Sequence, residues 1–321
     1  MKAYLFICLL LTHLVSSLVV ASDDTDFALS QVTMDVIQVS EHAWYVKGLD
    51  GMATENEGFI SNAGFVVTRE GVVVFDALGT PALAKKLVTA IQGITAQPIV
   101  KLVVSHYHAD HVLGAQVFKA LGAEVIAPKG AYKYIDSSFA QDRLAERRVS
   151  LYPWVDETTY LVKPDRIIES AERFSLGGID FLINVVGPAH SDGDMTLYVE
   201  NDRVLFAGDI IIEGRVPFLG SVHTKFWLQT LEKMELQSLQ ALIPGHGLAA
   251  SEPAKTLSLT RLYLAYIRQQ MALAVDELQA FDEAYSATDW SEFSNLPAFA
   301  EANRKNAYQV YLSLEAEALE D

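Results

Sequence analysis

Cysteine is almost missing from this chain of 321 residues: the one present, Cys8, lies in an apolar stretch at the very start. Beyond that stretch there is none. This excludes disulfides, thiolate-held zinc, iron–sulfur clusters and thiol nucleophiles, and leaves His, Asp and Glu to carry any metal chemistry. Basic residues are scarce as well, with 24 Lys and Arg against 41 Asp and Glu and a formal charge of −17. Affinity for a phosphate backbone comes from cations that displace counterions, so nucleic acid is excluded as a partner. There is no low-complexity tract and no internal repeat, and no later apolar run is long enough to span a bilayer. Half of the residues are apolar and a fifth charged, which is the balance of a globular chain with a sizeable core.

The start of the chain has the layout of a secretory signal. Lys2 precedes the apolar run Tyr4–Leu11, Val19 and Ala21 stand at −3 and −1 of a cleavage site, and Ser22-Asp23-Asp24 switches abruptly to acid. Thr12, His13, Ser16 and Ser17 interrupt what an anchor of about 20 apolar residues would need. We therefore expect residues 1–21 to be removed, the mature protein to be periplasmic or secreted, and no stable membrane insertion to remain. No twin arginine precedes the apolar run at the start of the chain, so export would be unfolded and metal would be acquired outside the cytoplasm.

Strand and helix signals alternate in two sets. The first has strands over 32–40, 43–47, Phe59–Thr68 and Gly71–Phe75, with a turn at Arg69-Glu70-Gly71, a helix Pro81–Gln92, a buried strand Ile99–Ser105 and a strand Glu124–Ala127. The second has strands Arg166–Ile168, Phe181–Val186, Met195–Val199 and Val204–Ala207, a helix Thr224–Leu239 and a strand Ala241–Ile243. Each set places polar loops directly after buried strands, where α/β scaffolds keep their chemistry. The expected division is a catalytic domain over 22–252 and a helical C-terminal extension over 253–321 packed on it, with a substrate lid as the other role for those helices.

His106-Tyr107-His108-Ala109-Asp110-His111 puts four potential metal ligands in six positions after a buried strand. In extended backbone alternate side chains share a face, so His106 and His108 point the same way, while Asp110 and His111 follow as the chain turns toward a helix. Two ligand pairs can then face two adjacent metals. Three further residues of ligand type also follow strands: His190 in Gly187-Pro188-Ala189-His190, Asp209 in Ala207-Gly208-Asp209, and His246 in Pro244-Gly245-His246-Gly247. His42 reads as a surface residue. Asn62, Arg215, His223 and Lys225 stand in loops that could border the site and hold a small-molecule substrate.

The pattern His106-x-His108-x-Asp110-His111-x-x-Gly114, followed by His190, Asp209 and His246, resembles the metallo-β-lactamase-fold hydrolases over roughly residues 43–249. Within them, Val104–His111 and Gly187–Ser191 are most similar to the exported quinoprotein relay system zinc metallohydrolases. The resemblance implies an α/β, four-layer αββα sandwich, here with a C-terminal helical segment. It implies His106, His108 and His190 on one Zn2+, Asp110, His111 and His246 on a second, and Asp209 between them, with Fe or Mn as the alternative metal. It also implies that Asp76 orients a ligand imidazole through its free N–H. The expected reaction is hydrolysis of an ester, thioester, lactone or amide-type bond by a metal-bound hydroxide, with Asp110 both ligand and catalytic proton handler. An aspartate bridge, where many β-lactamases use Cys or His, disfavours β-lactam hydrolysis. The other readings are a mononuclear iron oxidoreductase of the persulfide dioxygenase type and a non-catalytic metal-binding module.

Overall fold

Uninterrupted apolar runs such as Val72–Phe75 and Val204–Ala207 can be satisfied only where a strand is covered on both faces, and that need organises the molecule. The computed structural model describes residues 27–219, 222–234 and 239–320, so the expected signal over 1–21 and Cys8 fall outside the described residues. A first sheet runs in sequence order through β1 (Val36–Gln38), β2 (Ala43–Val46), β3 (Ala63–Thr68), β4 (Gly71–Phe75), β5 (Ile99–Val103), β6 (Glu124–Pro128) and β7 (Arg166–Ile168). It is antiparallel up to β4 and parallel from β4 to β7. The second sheet is an antiparallel meander of β8 (Glu172–Leu176), β9 (Ile179–Val185), β10 (Met195–Val199) and β11 (Val204–Ile212), with β12 (Ala241–His246) parallel to β11.

Helices α1 (Pro81–Ile94), α2 (Ala109–Val112), α3 (Ala115–Ala120), α4 (Ala131–Ile135) and α5 (Ser138–Ser150) belong to the first half. Helices α6 (Thr224–Lys233), α7 (Pro253–Asp276), α8 (Phe281–Ala287) and α9 (Phe299–Glu320) belong to the second. The strand period of two sorts the apolar side chains into layers. Val72 and Val74 join Leu83, Leu87 and Phe118 in a core beneath α1 and α3, while Val73 and Phe75 meet Phe206 and Ile243 between the sheets. Leu205 and Ala207 face the other way, onto Trp227 of α6, Tyr263, Leu264 and Ile267 of α7, and Val310 of α9. The αββα sandwich and the C-terminal helices expected from the sequence are therefore present, and α7 and α9 share one core with the second sheet. Among the described residues no helix is long and apolar enough to cross a membrane.

Several strands differ from expectation. Arg166–Ile168 pairs with β6 as an edge of the first sheet rather than opening the second set. The strand β8 gave no sequence signal because Glu172, Arg173 and Ser175 make it polar; it is an edge strand whose Phe174 stacks on Phe181 at 4.7 Å. The third strand starts at Ala63, since residues 59–62 turn toward the His246 loop, where Asn62 N–H donates to Gly245 O at 2.7 Å. His42 is half-buried, its backbone N–H and Nδ1 both held by Asp202 at 2.8 and 2.9 Å.

Candidate metal centre

Strand β4 runs parallel to β5 and β11 parallel to β12, and the residues that follow or end these strands converge at one edge of the sandwich. Asp76 leaves β4 with a φ of +65°, and Ser105 and the histidine loop follow β5. Asp209 sits within β11 just after Gly208, and His246 ends β12. His190 comes from the turn between β9 and β10.

The ligand atoms of His106, His108, His190 and Asp209 lie within 4.8 Å of one another, and those of Asp110, His111 and His246 form a second such group. Asp209 faces both. Its Oδ2 is 3.3 Å from His190 Nε2 and 3.3 Å from His246 Nε2, and its Oδ1 is 3.2 Å from His111 Nε2. Asp110 Oδ2 stands 3.5 Å from His111 Nε2 and 3.4 Å from His246 Nε2.

The far side of most imidazoles is pinned, which fixes the nitrogen presented inward. His111 Nδ1 lies 2.8 Å from Asp76 Oδ2, and His246 Nδ1 lies 2.7 Å from Ile60 O. His106 Nδ1 lies 2.9 Å from Ser105 Oγ, which in turn donates to Asp76 at 2.8 Å, so one carboxylate stands behind a histidine of each group. The His190 ring meets Trp227 edge-on at 5.1 Å, and its turn is clamped by Asp194, which accepts from Ala189 N, Ser191 N and Ser191 Oγ. Glycine is required beside the cluster: a Cβ on Gly245 would sit 1.9 Å from Asp209 Oδ1.

These residues fit a metal. Among the described residues His111 Nε2 and Asp209 Oδ1 are buried without a hydrogen-bond partner, and both point at the same centre. His108 Nδ1 meets His106 Nε2 at 3.0 Å and His190 Nε2 at 2.9 Å, a crowding of three ring nitrogens that a shared cation resolves. Without metal the charge is balanced by protons. Burial alone would lower His246, but the charges of Asp209 and Asp110 outweigh it and raise it to about 9, and the same carboxylates with Asp76 raise His111. Burial also works against ionising Asp110 and Asp209, yet the neighbouring imidazolium charges hold both low. His190 is pushed down to about 3, chiefly by burial.

The conserved-domain pattern described as the metallo-beta-lactamase superfamily matches residues 56–246, more than half of the chain. The chain belongs to the metallo-β-lactamase superfamily. Among curated relatives it is similar to a metallo-beta-lactamase type 2 of Elizabethkingia meningoseptica, 23% identical over 193 residues that cover 59% of this chain and 69% of that one. It is similar also to a linear primary-alkylsulfatase of Pseudomonas sp., 22% identical over 241 residues, 63% of this chain and 44% of that one. Among solved structures the sec-alkylsulfatase Pisa1 of Pseudomonas sp. superposes with a TM-score of 0.68 at 19% identity over 87% of this chain and 50% of its own. A metallo-beta-lactamase from Pontibacter korlensis gives 0.57 at 20% identity over 73% of this chain and 99% of its own. The chain thus spans about half the length of the alkylsulfatases it matches, and at these identities the likeness is one of fold.

In this superfamily member the four substrate candidates are placed very differently. Asn62 is buried and engaged internally, with Oδ1 accepting from Gly48 N at 3.0 Å and Nδ2 donating to Pro244 O and Gly247 O at 2.8 Å. Arg215 is buried in the loop after β11 with its guanidinium 5.4 Å from the Phe218 ring centre. His223 is the N-cap residue of α6, though its side chain makes no cap hydrogen bond; its Nε2 is 3.4 Å from Asp192, beside the His190 turn. Lys225 is exposed and faces Glu317 of α9 at 4.0 Å. Sequence reasoning overlooked Ser105, Asp194 and Trp227, although Ser105 directly precedes the first histidine. It also overlooked a cavity of about 270 Å³ opening beside His108 and His190.

Proposed function

We propose that the protein is an exported hydrolase that holds two divalent cations, Zn2+ by the character of its donors, and cleaves an ester, thioester, lactone or amide-type bond in a small molecule. The observation that carries the reading is the Asp209 carboxylate, which stands 3.2 to 3.3 Å from imidazoles of both ligand groups. In this reading His106, His108 and His190 would hold one cation and Asp110, His111 and His246 the other, with Asp209 the carboxylate that would serve both. Imidazole and carboxylate donors without sulfur suit zinc. A bound pair of this kind supplies Lewis acidity and brings the ionisation of a coordinated water toward neutral pH.

The chain's own residues do the rest. Asp76, Ser105 and the Ile60 carbonyl hold the imidazole tautomers so that the inward nitrogens are free. Asp110 is the carboxylate open to an entering substrate, its side chain 21% exposed against 7% for Asp209, and so the one placed to take a proton during attack. Residues 22–252 carry the chemistry and 253–321 pack on them. The names of the relatives add β-lactams and alkyl sulfates to the substrates worth testing.

The test is protein exported with its own leader from a bacterial host, assayed for bound metal and for turnover of ester, lactone, thioester, β-lactam and alkyl sulfate substrates with and without a chelator. Chelator-sensitive hydrolysis restored by zinc supports the reading. Iron with oxygen uptake on a persulfide, or metal without any turnover, would overturn it.

A further inference from the structure

The metal cluster does not account for the cavity beside it. His108 and His190 form its inner wall, and the remainder comes from the turn after β6, α4, the start of α5 and the Ser191–Gly193 turn. One side is aromatic. Tyr107, Tyr134 and Phe139 follow one another with ring centres 6.0 and 6.2 Å apart, leading from the histidine loop to the surface, where Phe139 is 58% exposed. An apolar ring left in water at the rim of a cavity marks a surface suited to an apolar ligand.

The other feature is charge. Lys129 and Lys133 line the cavity, and among the described residues neither has a carboxylate within 4.0 Å. Arg143 adds to them, lying 5.8 Å from the Phe139 ring centre, though it also donates to Glu146 at 3.2 Å. Against them stands Asp192, the lone carboxylate of the lining, with His223 at 3.4 Å. In a chain of charge −17 this is a local reversal of sign, and such a reversal at a cavity mouth draws in anions.

We propose, resting on the hydrolase reading above, that this cavity selects amphiphilic organic anions. An aryl or alkyl body lies along Tyr107, Tyr134 and Phe139, a remote anionic group pairs with Lys129 and Lys133, and the scissile bond is left over His108 and His190.

The metal-loaded full chain tests this with two readouts. The first compares the 4-nitrophenyl monoester of suberic acid with neutral 4-nitrophenyl octanoate. The expected KM for the anionic ester is at least tenfold lower, and the gap shrinks as salt is raised. In the K129E/K133E double variant the gap closes because the anionic KM rises far more than the neutral one, whereas Phe139→Ala raises both KM values. The second readout is calorimetric binding of 4-phenylbutyrate against 4-phenylbutanol, which needs no turnover. A carboxylate held by the metals alone would ignore the lysine charges, so lysine-dependent binding supports the inference even if no ester is cleaved and the hydrolase reading fails. Hydrolysis with equal KM for both esters, unchanged by the double variant, overturns the inference and leaves the hydrolase reading intact.

Discussion

Asp76→Asn probes the device that aims the ligands. Asp76 is buried and accepts three hydrogen bonds: Ser105 N at 2.7 Å on Oδ1, and Ser105 Oγ and His111 Nδ1, both at 2.8 Å, on Oδ2. An asparagine keeps the shape but offers one acceptor oxygen, so its NH2 must meet a donor. Turned toward His111, it forces Nδ1 to become an acceptor and drives the ring proton onto Nε2, the atom that lies 3.2 Å from Asp209 Oδ1 and must be bare to bind metal. Losing such a partner weakens metal binding roughly 10–100-fold, about 1.4–2.7 kcal/mol. Turned the other way, the amide leaves the Ser105 N–H without an acceptor, at a cost to folding of about 1–3 kcal/mol. Competition with a chromogenic chelator, read as two binding steps, should show the Asp110–His111–His246 step weakened by that factor. Ser105→Ala, which removes only the oxygen behind His106, should weaken the other step instead. Wild-type affinity at both steps in Asp76→Asn would refute the reasoning.

Further outcomes follow from other contacts. Gly245→Ala puts a methyl 1.9 Å from Asp209 Oδ1 and 2.7 to 2.8 Å from the Gly208–Asp209 backbone, so Asp209 must move and the variant should bind fewer than two equivalents of metal by metal analysis. Asn306→Ala strips Pro217 O, Leu219 N and Tyr263 OH of a buried partner and should cost about 3 kcal/mol in denaturant unfolding. Asp194 gives a pH signature: burial pushes it up to about 7, against the donors from Ser191 and Ala189, while its ordinary value is 3.8. The folded chain therefore keeps a proton that the unfolded chain releases. That contribution to stability is full below about pH 4 and is lost as pH rises to about 7. In the metal-free protein the thermal midpoint of wild type minus that of Asp194→Asn should fall across this window and level off above it; a flat difference would mean that the carboxyl is ionised throughout.

The early histidine loop was legible because four potential ligands crowd into six positions, and His190, Asp209 and His246 because each follows or ends a strand. That logic identifies residue types at strand ends, but it does not show which strand ends meet. The parallel runs of β4–β5 and β11–β12 bring them together, and those pairings join residues far apart in sequence. Ser105 and Asp194 were missed because a small hydroxyl or an acid in a turn is unremarkable until its partners are known. Arg166–Ile168 was placed in the wrong set for a related reason: a three-residue strand carries no mark of the sheet it joins. The polar alternation of β8 is likewise what an edge strand looks like, and also what a loop looks like. The aromatic and cationic lining of the cavity comes from segments between residues 107 and 222, and nothing in any one of them announces a pocket.

The central claim is that one carboxylate joins two groups of imidazoles around a pair of cations. Native mass spectrometry of the zinc-loaded chain beside its Asp209→Ala variant tests it most directly. The account predicts two metal ions per wild-type chain and a loss of bound metal from the variant at the same free zinc. A single ion in wild type, or two retained without Asp209, would contradict it.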